Sequence, residues 1–457
     1  MNPKINYREL KAILHIGDEM KQQIIDLVGQ YFKEKQSNKT WVAGKDFVNY
    51  AGPFVDENEY MSVMDTLLSG WLVMGDKCLK FEKLFPKQFG KEHGILTNSG
   101  SSSNLLMMAS LASKRGYNFP KGTNVLVPIA GFPTTLNPIL QVGFNPIFVD
   151  IEIETLNIDI TKAEDLIKKH DIKVLTFAHV LGNPPNMDDI MSLVRKYNLV
   201  LLEDCCDALG STYDSKPLGS FGEMASCSFY PAHHMTMGEG GFVASRTYDQ
   251  EVILRSFREW GRGCYCVGPE ANKLQCGTCG KRFSEWVPCM PGEIFDHKYV
   301  YDEIGYNLKP IEMQGAMGLV QLEKLDTIHA LRRRNYKLLF DIYSKYEEFF
   351  HLPRPRDKSD PSWFAFPLTI KDNAPFKRID IVSHLEDNLI QTRPYFAGNL
   401  MLQPAYTHLM RPEDARNNFP VATKVMKDTF FHGTSPVISE QQIAYIGEKV
   451  DTFLSIF

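Results

Sequence analysis

The length, composition and charge of this 457-residue chain limit the class of protein that it can form. Its 44% hydrophobic and 23% charged residues are typical of a globular protein with one large core or two smaller ones. The net charge of −5 gives no reason to expect a nucleic-acid partner, and no apolar run is long enough to span a membrane. The N-terminus has no apolar segment of the signal-peptide kind, so the sequence favours a cytoplasmic protein.

The apolar pattern divides the chain into three predicted parts. Residues 1–70 combine helical periodicity with an irregular aromatic stretch, and we expect an N-terminal extension that packs on the core or on a partner subunit. Residues 71–345 are predicted to form a large domain with a Cys-rich insertion at 263–296. After a proline-containing linker, residues 346–457 are predicted to form a smaller α+β domain.

Within the large domain, short apolar runs alternate with amphipathic helical segments. The candidate strands are Asn124–Ile129, Pro146–Asp150, Lys173–Ala178, Leu199–Glu203 and Ala225–Tyr230. The candidate helices between them are Thr135–Val142, Thr161–Lys169 and Met187–Tyr197. This alternation predicts a mostly parallel α/β sheet with helices on both faces, and such sheets bind ligands at the carboxyl ends of their strands.

A polar segment, Asn98–Asn104, opens an amphipathic helix in the same domain. Gly100, Ser101 and Ser102 would offer backbone N–H groups and hydroxyls at the helix N-terminus, where the helix dipole also favours an anion. The segment therefore predicts a phosphate site, although the same residues would equally form an ordinary helix cap.

A carboxylate, Asp204, ends a buried apolar strand. It would either cap the strand end or pair with a buried cationic nitrogen. Enzymes with a pyridoxal-type cofactor need the second role, because the carboxylate keeps the pyridine nitrogen protonated and makes the ring an electron sink. Phe132, which follows another strand, is available to stack on such a ring.

Two adjacent histidines, His233 and His234, precede a glycine-rich turn in the stretch 226–241. An imidazole titrates near neutral pH and can transfer protons. The stretch alone is equally compatible with two ordinary loop histidines.

The nine cysteines are unevenly spread, with five of them between Cys264 and Cys289. Clustered cysteines in a cytosolic chain indicate metal or redox chemistry rather than disulfides. Two close pairs, Cys264 with Cys266 and Cys276 with Cys279, would suit a structural zinc ion.

Taken in order, these segments resemble the sugar aminotransferase (DegT/DnrJ/EryC1/StrS) family of fold-type I pyridoxal-phosphate enzymes. The matching segments are Asn98–Ser103, Phe132–Asn137, His179–Pro185, Glu203-Asp204, Ser228–Gly241 and Gly305–Leu325. The resemblance implies a homodimer in which Asp204 pairs with the pyridine nitrogen and Phe132 stacks on the ring. It also implies that Gly100, Ser101, Ser102 and Ser228 hold the phosphate, that Asp207 contacts the ring hydroxyl, and that Asn307 reaches the phosphate from the neighbouring subunit.

One departure from the family pattern changes the expected reaction. His233 occupies the position at which the family carries the lysine that forms an imine with the cofactor, and an imidazole forms no stable imine. The substitution resembles the 3-dehydratase branch, which uses non-covalently bound pyridoxamine phosphate (PMP). The resemblance implies that His233 acts as a base at the C4′ carbon of the cofactor, so that the C3 hydroxyl of a nucleotide-linked 4-keto-6-deoxyhexose leaves.

The cysteines resemble one sub-branch, the iron–sulfur CDP-4-keto-6-deoxyglucose 3-dehydratases. The interval of 57 residues between Cys206 and Cys264, the neighbouring Cys266, and Cys279 directly before Gly280-Lys281-Arg282-Phe283 match its 2Fe–2S ligand pattern. A longer loop before Cys279 leaves Cys276 as a competing ligand. The resemblance implies a flavin- and iron–sulfur-containing, NAD(P)H-dependent reductase as partner and a role in dideoxysugar and lipopolysaccharide O-antigen biosynthesis.

Three alternatives remain open from the residues. The first is a cluster-free dehydratase of the GDP-4-keto-6-deoxymannose type, with a structural zinc ion in the insertion. The second is a nucleotide-sugar aminotransferase, and the third is a non-catalytic relative recruited as a partner subunit.

Overall fold

The computed structural model describes residues 7–37, 40–264 and 280–457. Its helices of one turn or more are α1 Tyr7–Ser37, α2 Glu57–Leu68, α3 Asp76–Leu84, α4 Gly100–Ser110, α5 Pro133–Val142, α6 Ile160–His170, α7 Met187–Tyr197, α8 Tyr248–Arg258, α9 Glu312–Glu323, α10 Leu325–Tyr343, α11 Arg378–Asp387, α12 Pro412–Asn418, α13 Pro420–Asp428 and α14 Glu440–Leu454. None of the described helices combines the length and the apolarity that a membrane crossing requires.

A seven-stranded sheet organises the first half of the chain. Its strands are β1 His93–Thr97, β2 Asn124–Pro128, β3 Asn145–Val149, β4 Val174–Ala178, β5 Val200–Asp204, β8 Met224–Ser228 and β9 Gly241–Ser245, in the order β1-β9-β8-β5-β4-β2-β3. Strands β8, β5, β4, β2 and β3 run parallel, whereas β9 pairs antiparallel with both of its neighbours. The sheet confirms the predicted α/β fold class and the five predicted strands, each within two residues of its ends.

Two apolar cores lie against this sheet, one on each face. One contains Leu106, Leu202 and Val243, and the other contains Phe81, Phe229 and Phe242. Successive strand residues alternate between the two cores because neighbouring side chains of a strand point to opposite faces. Both faces are therefore buried, as the near-continuous apolar strands predicted.

A second, antiparallel sheet lies in the C-terminal part of the chain. It consists of β12 Phe350–His351, β14 Ala365–Ile370, β16 Thr429–Gly433 and β15 Arg393–Pro394, in that order. Two-residue strands occur at Thr212–Tyr213 (β6), Lys216–Pro217 (β7), Phe283–Ser284 (β10), Phe295–Asp296 (β11) and Ser359–Asp360 (β13). The predicted division into domains, with boundaries at 70 and 345, stays a prediction.

The N-terminal extension packs on the core of its own chain. The Glu59 carboxylate of α2 is fully buried and binds Gln321 and Lys324, at 2.7 Å from each. Lys21 of α1 forms an ion pair with Asp65 at 2.6 Å. Within the described residues the extension thus contacts the core of its own chain, and a contact with a partner subunit stays a prediction.

Buried histidines make the stability of the fold depend on pH. Burial lowers the pKa of His329 and of His432 to about 3, so both stay neutral in the folded protein. Unfolding returns each pKa to about 6.5, so the unfolded chain takes up protons first as the pH falls below that value. Between about pH 7 and pH 5 we expect the free energy of unfolding to fall by about 2 kcal/mol for each histidine.

Urea denaturation at the two pH values measures this loss. His432→Asn is expected to remove about 2 kcal/mol of this loss, because one buried neutral imidazole is then absent while those of His234 and His329 remain. An unfolding free energy that stays constant between the two pH values would contradict the prediction.

Candidate active site

A cavity of about 1090 Å³ opens where several strands of the large sheet end. Ala178, Asp204 and Ser228, the last residues of β4, β5 and β8, all line it. The N-terminus of α4, the segment after Pro128 and the C-terminal segment around Tyr395 form the remaining wall. The cavity therefore lies at the carboxyl edge of the sheet, where the alternation of strands and helices predicted a ligand.

Asp204 is buried and surrounded by hydrogen-bond donors. Its Oδ2 accepts from Asn104 Nδ2 at 2.8 Å and from Thr135 Oγ1 at 2.9 Å. Its Oδ1 accepts longer contacts, from the Cys206 N–H at 3.2 Å and from Ser226 Oγ at 3.3 Å. Because the Ser226 hydroxyl can rotate away, Oδ1 can accept a further N–H donor from the cavity.

The start of α4 has the form expected of a phosphate site. Ser99 caps the helix by accepting from the Ser102 N–H, and Gly100 and Ser101, whose N–H groups have no partner within the helix, line the cavity. A Cβ on Gly100 would lie 2.5 Å from Ser228 Cβ, so only glycine allows the helix to approach the Ser228 hydroxyl so closely. Ser102 lies on the same turn but not on the cavity wall, and its hydroxyl bonds to Ser99 Oγ at 3.0 Å.

Phe132 also lines the cavity, with half of its side chain exposed, edge-on to Phe396 at a centroid distance of 5.9 Å. An exposed phenyl ring in a ligand cavity is suited to stacking on a planar ring. Asn307 lies on the surface outside the cavity of its own chain, with Oδ1 bound to Lys309 Nζ at 2.7 Å. A contribution from a second subunit stays a prediction.

His233 and Asp207 form a pair on the cavity wall. Nδ1 of His233 lies 3.4 Å from Asp207 Oδ1, and both side chains are more than four-fifths buried. The Phe364 ring lies 5.2 Å from the imidazole. The contact with Asp207 is not a hydrogen bond, so Nδ1 has no hydrogen-bond partner among the described residues. Nε2 forms no described hydrogen bond either and is available to a ligand.

The second histidine has a different environment. His234 is buried, lies outside the cavity wall and bonds through Nε2 to the Ser362 carbonyl at 2.7 Å. Burial lowers its pKa well below the usual value, and nearby Arg332 lowers it further. A neutral, sequestered imidazole has a packing role, so the two adjacent histidines are not equivalent.

A second buried polar cluster, His179, Glu203 and Cys205, lies under the sheet edge. Ligand atoms of the three residues are all within 4.8 Å of one another. However, Glu203 already accepts from His179 Nε2 at 2.9 Å and from the N–H groups of Gly219 and Gly222 at 2.9 and 2.6 Å. Burial also raises the pKa of the Cys205 thiol well above its usual value, so this cluster is structural rather than a metal site.

Only part of the predicted cysteine set can be located. Cys206 lines the cavity two residues after Asp204, and Cys264 is half-buried. Cys266, Cys276 and Cys279 lie outside the described residues. The ligand set of the predicted cluster, and the competing zinc set, therefore stay predictions.

Asn104, Thr135, Phe364 and Arg393 also belong to the site but were not predicted from the sequence. The first two hold Asp204, and the last two line the cavity. Asn104 is four residues after Gly100 on the same helix, so it shares the face that approaches the cavity. That spacing could have identified Asn104 as a site residue. Phe364 and Arg393 come from the distant C-terminal region, and no local pattern there places them in the site.

The fold and the site together define a class. A mostly parallel sheet carries a helix N-terminus for phosphate, a strand-end carboxylate and a stacking phenylalanine at its carboxyl edge, which is the arrangement of a fold-type I pyridoxal-phosphate enzyme. The model of the DegT/DnrJ/EryC1/StrS aminotransferase family matches residues 53–451, and the chain belongs to that family.

The similar proteins include nucleotide-sugar 3-dehydratases and a lipopolysaccharide biosynthesis protein. The lipopolysaccharide biosynthesis protein RfbH of Salmonella typhimurium is 40% identical over 96% of this chain and 99% of its own. The dTDP-4-dehydro-2,6-dideoxy-D-glucose 3-dehydratase of Saccharopolyspora spinosa is 37% identical over 96% and 93%. The solved E. coli GDP-4-keto-6-deoxy-D-mannose-3-dehydratase with bound hydrated PLP is 29% identical, with a TM-score of 0.76 over 88% of this chain and 99% of that one.

These relatives support a pyridoxal-type cofactor for the family to which this chain belongs. The residues of the cavity fit such a group: Gly100, Ser101 and Ser228 form a cradle for its phosphate, and Asp204 lies among donors on the cavity wall.

Proposed function

We propose that this protein is a PMP-dependent 3-dehydratase that acts on a nucleotide-linked 4-keto-6-deoxyhexose. The observation that carries the proposal is that His233 lines the described cavity wall and that no lysine does. Without a lysine amine there is no group to form an imine with an aldehyde cofactor, whereas an imidazole can still move protons.

The side chains of the cavity have separate tasks in this proposal. When bound, PMP supplies the amine that condenses with the keto group and a ring that accepts electrons. Asp204 binds the pyridine N–H, and the α4 N-terminus with Ser101 and Ser228 binds the phosphate. Asp207 lies 3.4 Å from Nδ1 of His233 and would stabilise the imidazolium, and Nε2 of His233 would take the proton from C4′ of the cofactor.

The cavity also suits a nucleotide sugar. Arg393 is the sole lysine or arginine among the residues that line its described wall, and its guanidinium lies 4.4 Å from the centre of the Tyr50 ring. Its Nη1 donates to the Thr392 carbonyl at 2.7 Å, and it forms no ion pair in the described part of the chain, so the side chain can bind a diphosphate. Aromatic residues Phe396 and Tyr406 offer surfaces for a sugar or a base.

Product analysis tests the reaction. The PMP-loaded protein is incubated without air with CDP-, dTDP- and GDP-linked 4-keto-6-deoxyhexoses, with and without dithionite as a source of electrons, and the sugars are analysed by mass spectrometry. We expect one of them, with CDP as the first candidate, to lose the C3 oxygen. Replacement of the keto oxygen by an amino group would instead identify an aminotransferase and contradict the proposal.

Replacing a C–OH group with C–H requires two electrons. The source of these electrons distinguishes an iron–sulfur dehydratase from a cluster-free one. We propose that a 2Fe–2S cluster bound by Cys206, Cys264, Cys266 and Cys279 delivers them singly from an NAD(P)H-dependent flavin reductase. The position of Cys206 on the cavity wall, two residues from Asp204, supports this proposal because a cluster there would lie beside the cofactor.

Iron content and the visible spectrum test the cluster. Protein purified without air is expected to be brown, to bleach with dithionite and to contain about two irons per chain. Cys206→Ser should lose the colour, whereas Cys289→Ser, a change at an exposed cysteine outside the proposed set, should keep it. Colourless wild-type protein containing zinc would contradict the cluster.

A cluster-free dehydratase is the second candidate. Identity of 32% over 88% of this chain to the GDP-4-keto-6-deoxy-D-mannose 3-dehydratase of Escherichia coli favours it. In that case both electrons come from the amine form of the cofactor, and ammonia is released. Deoxygenation that consumes PMP in equal amount and needs no reductase would establish this form.

A further inference from the structure

Arg332 of α10 is a fully buried arginine directly behind His233. One of its terminal nitrogens donates to the carbonyls of Trp363 and Phe364, at 3.3 and 3.2 Å. The other donates to the carbonyls of Ala232 and His233, at 3.2 and 2.8 Å. The guanidinium therefore joins two chain segments that are far apart in sequence.

The burial of this cation is unfavourable in itself. Among the described residues no carboxylate lies within ion-pair distance of it, and burial lowers its pKa to about 9. An apolar side chain would fill the same space without the cost of desolvating a charge. The planar fork of donors, which can satisfy two pairs of carbonyls at once, is what distinguishes arginine at this position.

Both segments held by Arg332 lead into the cavity. His233 and Phe364 line its wall, and their rings lie 5.2 Å apart. Two more buried basic groups join the same parts of the chain: His234 binds the Ser362 carbonyl, and His329 of α10 lies 2.9 Å from Ser362 Oγ. The position of the His233 imidazole relative to the Phe364 ring thus depends on contacts made by α10.

We propose that Arg332 is a positioning residue for His233. Its guanidinium fixes the main chain of residues 232–233 against residues 363–364 and so sets where the imidazole stands in the cavity. The inference rests on the proposed function, because it takes His233 to be the base of that reaction. Misplacement of a reacting group by about 1 Å can slow a reaction by about 10²-fold, so a loosened main chain is expected to affect turnover.

The test compares Arg332→Met, Arg332→Lys and the control Arg334→Met. Arg334 is on the same helix and half-exposed, and it contacts Ile438 and Glu440 rather than the His233 segment. Deoxygenation kinetics are measured well below the melting temperature of each variant. Labelling of His233 by diethyl pyrocarbonate is followed by peptide mass spectrometry, with exposed His408 as internal reference.

For Arg332→Met we expect kcat to fall by about 10²-fold while KM and the PMP dissociation constant change little. His233 should react several-fold faster with diethyl pyrocarbonate, and Arg332→Lys, which can satisfy one pair of carbonyls, should lie between the wild type and Arg332→Met. Arg334→Met should match the wild type in both measurements.

A folded Arg332 variant whose kcat and His233 labelling rate both equal those of the wild type would overturn the proposal. Failure of both variants to fold would also overturn it, since Arg332 would then be structural only. The absence of deoxygenation by the wild-type protein would count against the proposed function. The labelling rate needs no substrate, so in that case it would still test whether Arg332 positions His233.

Discussion

His233→Asn is expected to slow deoxygenation by about 10²–10⁴-fold, the range that general acid–base catalysis contributes. Asparagine fills a similar volume but can neither accept nor release a proton near neutral pH. The phosphate cradle and Asp204 do not contact the His233 side chain through any described hydrogen bond, so the PMP dissociation constant should change by a few-fold at most. The variant should thus lose kcat and keep its cofactor.

Steady-state kinetics together with a PMP titration separate these quantities. His408→Asn is the matched control, because His408 is exposed and lies outside the cavity wall. A His233→Asn enzyme with a kcat close to that of the wild type would assign the proton transfer to another group.

Asp204→Asn is expected to have the second-largest effect. In the proposed function Asp204 pairs with the protonated pyridine nitrogen, and breaking a buried charge pair costs about 3–5 kcal/mol, or about 10²- to 4 × 10³-fold. The loss should be visible in both kcat and the PMP dissociation constant, because the same contact binds the ring and stabilises its charge. Cofactor absorbance titrations and turnover measure it.

Asp150→Asn provides the control for a buried carboxylate outside the site. Asp150 accepts from the N–H groups of Val421 and Ala422 at 3.2 and 2.9 Å, and it is outside the cavity wall. This change should lower thermal stability while leaving PMP affinity near that of the wild type. Equal losses of PMP affinity in the two variants would mean that Asp204 acts through the fold alone.

Most of the fold could be predicted from local patterns. The buried strands β2, β3, β4, β5 and β8 are continuous apolar runs bounded by turn residues, and α7 has an Asn186 cap and an amphipathic face, so both kinds of element have clear signals. Strands β1 and β9 were missed. Each is five residues long, and the Gly240-Gly241 pair at the start of β9 is typical of a turn, so their pairing depends on the rest of the sheet.

The site could be predicted only where one segment carried the signal. Asp204 ends a strand, Gly100 begins a helix and His233 lies in the loop after β8, and all three line the cavity. The partners of these residues come from elsewhere in the chain. Arg332 meets His233 across a separation of 99 residues, and its four acceptors are carbonyls, which no side-chain pattern reveals.

Borohydride reduction in the presence of pyridoxal phosphate tests the central claim most directly, namely that a histidine stands where an anchoring lysine is expected. The wild-type protein should release all of its cofactor on denaturation after reduction, and peptide mass spectrometry should find no lysine adduct from the cavity. His233→Lys, measured in parallel, should form an adduct at residue 233 and so show that the reaction conditions are adequate. A stable lysine adduct in the wild-type cavity would contradict the account.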